Sequence, residues 1–574
     1  GFGLEVGLVH DRSFGCAFAA LAFGAGYLAV AGFMLRRQNR DMEVLRDSFL
    51  AIAIGFVTLA VPLALDARWT SSVWALEGAG AFWVGARQAR WLPRLAGLAL
   101  QLVSAVILLV TLGPNVSAVP LANPGFVSAA LVAIPLLLTA WWMRAELPHS
   151  GSRWGQAYAG FERRARNALF LGGFGMTALA ILLEVTRQVP AALPGAAGVY
   201  VFRAHEQILI AMLALLAAAG LAEMFGRRRS WAVATWPARA ILPLIATCFV
   251  ATLLLSRYVL FWPDWLAWPL ALAMHYALLR RSDLDLDARE GGAHAGWNGL
   301  VHAGGVWLLG LMLADCLRLG IDRGELWSTS WAGVVFLVSL VVMLGLLVGW
   351  AGRATPLAST LGLRWPLHPA ARSYWWTAAV PIAALAHAAA LLQALTARGN
   401  TDPLPFLPLL NPVDLSVALT MVVLAWWLRV LHAADDRPEA GDAVLGPVGF
   451  VAGGALAFAA LNGAWLRTAH HWLGVEWEAG ALGASSAVQT GLAILWTLLA
   501  MGLMLFAHRR AQRLSWLAGA ALLVVVVLKL LMVDMSSAQG WERIVTFIGV
   551  GVLMLVIGYF VPLPPKQRSE EQPA

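Results

Sequence analysis

Lysine is nearly missing from this chain. Of 40 basic residues only two are lysines, Lys529 and Lys566, and neither follows a glycine. A Walker A loop needs a Gly-Lys-Ser/Thr triad to cradle phosphates, so these residues hold no P-loop nucleotide motor. Cysteine is scarce as well. Cys16, Cys248 and Cys316 lie in or beside apolar runs without CxxC spacing, and they read as small core residues, not as a disulfide framework or metal site. The stretch HEQIL at 205–209 has Leu209 where a zinc-protease helix needs its second histidine, and no GxSxG elbow occurs. Charge is the largest deficit: 13% of residues are charged, against about a quarter in soluble proteins.

What fills the space is apolar. Hydrophobic residues make up 60% of the 574, in recurring blocks long enough to cross roughly 30 Å of hydrocarbon as helices. Strict alternation over segments of about ten residues, the mark of a membrane β-barrel, is absent. The expected fold is all-α, a polytopic transmembrane helical bundle. About 17 spans are predicted, near 14–35, 48–66, 71–86, 95–112, 126–143, 168–186, 206–225, 240–256, 264–279, 298–315, 331–350, 375–396, 413–431, 448–466, 490–507, 516–533 and 544–562. Residues 1–562 form one transmembrane domain in this reading, and 563–574 a polar cytoplasmic tail. The start, GFGLEVGLV, has Gly1 in place of Met and resembles the end of an earlier helix, so further N-terminal segments are expected upstream.

The net charge of +8 does not point to nucleic acid, because the basic residues fall in short clusters one helical hairpin apart. Alternate loops, with the C-terminal tail, hold 29 of the 40; the opposite set holds ten. The positive-inside rule then puts the basic turns and the C-terminus in the cytoplasm. Tryptophan is abundant, 28 against seven tyrosines, and sits often at span ends, where interfacial anchoring accounts for it.

Two stretches align without a gap: WVGARQARWLPRLAGLALQLV (83–103) and LFAHRRAQRLSWLAGAALLVV (505–525). Arg87 meets Arg509, the LAG at 95–97 meets the LAG at 517–519, and Trp74 falls on Trp496. A repeated helical hairpin follows, unless any two hairpins with basic turns would look alike. Repeats of this kind are common in transporters.

Ionisable groups inside spans are costly, so they are functional candidates. In the orientation above they collect toward the outer side. Glu77 lies six residues inside its span, and Lys529 five residues before Asp534, at similar depths. Lys529 either snorkels to the interface or meets a carboxylate on another span, with Glu77 the partner to test. Asp66 and Arg68 share a short outer turn; Asn411 and Asp414 precede a helix that Asp414 is expected to cap. Arg467 and His470 come from RTAHHWLGVEWE, and Arg543 opens the last span. Adjacent histidines 470 and 471 point apart, which argues against a zinc site.

The stretches FLAIAIGFVTLAVPLALDARWTSSVWALEGAGAFWVGARQ (49–88), PLLNPVDL, RTAHHWLGV and LKLLMVDMSSAQGWERIVTFIGVGVLMLVIGY (528–559) carry a resemblance over nearly the full length. The chain resembles a bacterial family of large predicted membrane proteins known only as a domain of unknown function (number two-three-three-nine). That resemblance implies a bacterial inner membrane and a longer N-terminus with further spans and often a cytoplasmic coiled coil. It carries no catalytic, metal-binding or cofactor residue.

Three functions remain. The first is a carrier or permease-like protein for a polar or lipid-linked solute, with Asp66, Arg68, Glu77, Asn411, Asp414, Arg467, His470, Lys529, Asp534 and Arg543 around a periplasm-facing pocket. The second is a membrane-embedded enzyme of envelope polymers using a lipid-linked donor, with Asp66 as base or metal ligand. The third is a scaffold binding a periplasmic protein. The lipid bilayer is a partner in all three, and no cofactor is implied.

Overall fold

Hydrocarbon gives a backbone no water to bond, so each apolar run must satisfy its own amides, and here the runs do so as helices. The computed structural model describes residues 14–36, 43–65, 67–112, 119–148, 151–189, 191–192, 202–260, 264–287, 293–351, 365–366, 370–435, 437–510 and 512–529, with four positions between 548 and 555. Strand pairing among these residues is confined to Ala191–Ala192 beside Phe202–Arg203. The chain divides into two units, residues 1–285 and 286–574.

Unit 1 contains α1 (Gly15–Arg36), α2 (Glu43–Ala64), α3 (Ala67–Arg87), α4 (Trp91–Val110), α5 (Pro124–Trp142), α6 (Arg153–Gln188), α7 (Ala204–Arg228) and α8 (Ile241–Leu255). α9 (Ala267–Asp287) crosses the division near its C-terminus. Unit 2 contains α10 (Ala293–Arg323), α11 (Trp331–Ala351), α12 (Ala379–Thr396), α13 (Pro412–Ala433), the short α14 (Glu439–Leu445), α15 (Pro447–Leu473), the short α16 (Ala479–Ala484), α17 (Ser486–Arg509) and α18 (Arg513–Lys529).

Among the described residues twelve helices are long and apolar enough to cross a membrane, so the expected count of about 17 is somewhat high. The excess has local causes. The predicted span at 71–86 is in α3, where Ser71, Ser72 and Glu77 lower the mean hydropathy. The one at 264–279 begins in a 3-10 turn, and its helix runs on into Arg280, Arg281 and Asp283. Those at 48–66 and 516–533 correspond to the shorter apolar helices Ser48–Ala64 and Ser515–Lys529. The expected span at 544–562 and the tail at 563–574 fall outside the described residues but for four positions.

The two units use one order of packing. In unit 1, α3 packs on α4 and α5, α4 on α5 and α6, α5 on α6, α6 on α7, and α7 on α8. In unit 2, α11 packs on α12 and α13, α12 on α13 and α15, α13 on α15, α15 on α17, and α17 on α18. α2 on α3 and α10 on α11 extend the match to seven helices.

The hairpin read from the sequence has its own counterpart in space. A Cβ at Gly97 would run into the Gly78 carbonyl and the Phe82 backbone; one at Gly519 would meet the Ala500 carbonyl and the Met504 backbone. In the alignment Gly78 falls on Ala500 and Phe82 on Met504, so both hairpins close on the same small contact. The indole of Trp74 donates to the Thr58 carbonyl of α2 (3.1 Å), and that of Trp496 to Asn462 Oδ1 of α15 (2.7 Å). Each tryptophan thus ties its helix back to an earlier one.

Candidate binding site

Proline at the first helical position has no amide to waste, and asparagine before it can accept the next free one. Both units use this pair. In unit 2, Asn411 precedes Pro412, and its Oδ1 accepts from the amide of Asp414 at 3.0 Å. Asp414, expected to cap α13, is therefore held by the cap: with asparagine and proline in sequence, the helix starts at Pro412, ahead of the Leu415 start an aspartate cap would give. The Asn411 side-chain amide donates to the Asp414 carboxylate and to the Leu407 carbonyl (3.4 Å).

Arg467 completes the cluster from α15. It is fully buried, and Asp414 is nearly so. Nη2 donates to Asp414 Oδ1, while Nη1 donates to the carbonyls of Ala394 (3.0 Å) and Ala397 (3.3 Å) at the end of α12. Those carbonyls are orphans of a helix terminus, so a guanidinium is a suitable partner. The fit is close: a Cβ at Gly463 would strike the Ala394 carbonyl, and Gly399, at φ +87°, lies against the Arg467 stem. Burial makes the cation costly, and Asp414 offsets that cost. This is a clasp joining three helices.

The histidines next to it are each held by a main-chain carbonyl. His470 Nδ1 lies 2.7 Å from the Val475 carbonyl and His471 Nε2 3.0 Å from the Arg398 carbonyl. A carbonyl only accepts, so both nitrogens carry their hydrogens. His471 also stacks on Phe406, with centroids 4.2 Å apart. The loop after α12 is bound to the start of α11 through Ser330 and Asn400, and by the Trp331 indole on the Asp402 carbonyl (2.9 Å).

Beside the clasp is a cleft of about 480 Å³. Leu395 and Thr396 of α12 form one wall, Leu466 of α15 another, and Val488, Gln489 and Leu492 of α17 the floor. Trp477, Glu478 and α16 complete its rim. Lys529 Nζ donates to the Gln489 main-chain carbonyl at 3.0 Å. Of the two alternatives for Lys529, neither foresaw a backbone oxygen on α17 as a partner.

Unit 1 builds the same corner from different residues. Asn123 caps α5 before Pro124, accepting from the Phe126 amide at 2.8 Å. Its side-chain amide donates to Glu184 of α6 (2.8 Å), which also accepts from the Leu121 amide (2.7 Å), Gln188 (3.1 Å) and Arg187 (3.3 Å). Leu121 and Leu409, each two residues before its asparagine, both take left-handed backbone, at φ 60° and 63°. The sequence reading missed this correspondence, although LANP at 121–124 and LLNP at 409–412 were there to compare. It also missed Arg94, one of the arginines counted toward the basic turns. Arg94 is fully buried, donating to Glu162 (3.0 Å) and to the Pro148 carbonyl.

Unit 2 therefore brings together Asn411, Asp414 and Arg467, with His470 three residues along α15 from Arg467 and Lys529 bonded to the main chain of Gln489, a residue of the adjoining cleft. Glu77 is in unit 1 on α3, bonded to Thr58, with Oε2 buried and lacking a hydrogen-bond partner among the described residues. Arg68 is in the first turn of α3, its side chain outside the described residues, as are Asp66, Asp534 and Arg543.

Comparison with known proteins assigns the family. The family described as Predicted membrane protein (DUF2339) matches residues 1–125 and 116–564. The chain belongs to this family. No curated protein and no solved structure matches it.

Proposed function

We propose that this DUF2339 member is a carrier or permease-like protein for amphiphilic, lipid-linked solutes, with the unit 2 cleft as its entry site. It would occupy the bacterial inner membrane, with the arginine-rich turns and C-terminus in the cytoplasm and the cleft toward the periplasm. The cleft carries this reading: at about 480 Å³ it is ligand-sized, and its lining is mostly leucine, valine and alanine with a few polar groups among them. The neighbouring ion pair has both partners engaged and packed, which suits a rigid wall better than a reactive acid or base. The shared packing order of the two units is a further support, since repeats are frequent in transporters.

The test is capture of a phospholipid with a diazirine in its acyl chain, by protein in lipid nanodiscs. Labelling should concentrate on Leu482–Leu492 and fall at least fivefold in Gly483→Trp, where an added side chain meets open space. Labelling spread evenly over the lipid-facing helices in both proteins would overturn the reading.

A further inference from the structure

We infer that the headgroup taken by this cleft is a cation, an ammonium carried on an apolar chain; the inference rests on the binding reading above. It follows from counting what the polar groups of the cleft have left to offer. The Thr396 hydroxyl donates to the Leu392 carbonyl at 2.7 Å, leaving only lone pairs. The Gln489 side-chain amide donates to the Gly483 carbonyl at 3.1 Å. Glu478 is a carboxylate at the rim and accepts only. The side-chain donors left in the lining are the indole N–H of Trp477 and the second hydrogen of the Gln489 amide.

Arg467 and Lys529 are committed elsewhere, and the exposed Arg398, two residues from Thr396, is outside the lining. Arg467 is sealed against Asp414 and two α12 carbonyls, and the Lys529 ammonium is on the Gln489 main-chain oxygen without lining the cleft. His470, whose ring centroid is 5.7 Å from that of Trp477, keeps its Nδ1 hydrogen on the Val475 carbonyl. An anionic headgroup would find two neutral donors, the indole and one amide hydrogen, beside a repelling carboxylate, with Glu476 two residues away. An ammonium would find the Glu478 carboxylate, the Thr396 oxygen and the face of an indole, which attracts cations. The apolar walls take the chain.

The experiment uses the full chain in nanodiscs, with the diazirine lipid displaced by three twelve-carbon amphiphiles at matched bilayer concentrations: dodecyltrimethylammonium, dodecanol and dodecanoate. The ammonium should displace the probe at roughly tenfold lower concentration than either of the others, the scale of a partly desolvated cation–π contact with a carboxylate beside it. Glu478→Gln should bring the ammonium within about twofold of dodecanol, while dodecanol displacement stays unchanged and so reports an intact cleft. Equal potencies in the native protein, or a preference for dodecanoate, would overturn the inference and leave the cleft reading standing. Displacement by none of the three would remove the cleft reading itself.

Discussion

Arg467 and Asp414 lie 53 positions apart on different helices, and each holds the other where water does not reach. The pair joins α15 to the start of α13, and the same guanidinium closes the end of α12.

Removing one partner is therefore expensive. Arg467→Leu leaves Asp414 buried with only Asn411 and should cost about 3–5 kcal/mol. The double substitution with Asp414→Leu should recover most of that loss, since two apolar groups leave no stranded charge. Denaturant unfolding in detergent micelles measures both; a single-variant loss under about 1 kcal/mol would show that water reaches the pair.

The two asparagine caps should behave alike. Asn123→Ala and Asn411→Ala each remove the acceptor for a first-turn amide and should cost about 1 kcal/mol. Hydrogen exchange should rise at Phe126 in the first variant and at Asp414 in the second, with the other unit unchanged. Protection retained at both amides would refute the capping role.

Glycines at the hairpin contacts should rank by what surrounds them. Gly97→Val meets backbone on α3 and should abolish stable insertion. Gly519→Val also meets the side chain of Met504, which can turn aside, and should be milder. Gly160→Val, facing open space, is the control and should accumulate normally. Equal membrane levels of all three would remove the close approach of α3 and α4.

Orientation is checked with single cysteines. In a cysteine-free background, Glu478→Cys should react with an impermeant maleimide on intact cells, whereas Gln88→Cys should react only after permeabilisation. The reverse pattern would turn the cleft to the cytoplasm.

Much of this was legible in the residues. Apolar runs of membrane length without strict alternation point to a helical membrane fold, and LAG against LAG places Gly97 and Gly519 in equivalent contacts. Asn411, Asp414 and Arg467 stood out as polar groups at span ends, and they do meet. Their roles were less legible: NPVD offers two capping side chains, and choosing between them depends on where the proline places the first turn. The unit 1 corner was hidden because its carboxylate comes from α6, 61 residues after Asn123, instead of from the capped helix. The Lys529 contact was unreadable for another reason, since a main-chain carbonyl leaves no mark in residue type. The span count erred where polar side chains such as Ser71 and Ser72, both buried, sit within an otherwise membrane-length helix.

The 36-residue α6 runs without a break from Arg153 to Gln188, about 54 Å at 1.5 Å per residue, nearly twice the oily thickness of a bilayer. Its counterpart in unit 2 is interrupted at Gly446, between α14 and α15. One unbroken rod of backbone hydrogen bonds thus joins the arginine-studded beginning of α6 to Glu184. The helix that bears Arg467 has a joint at Gly446, and the one that bears Glu184 has none.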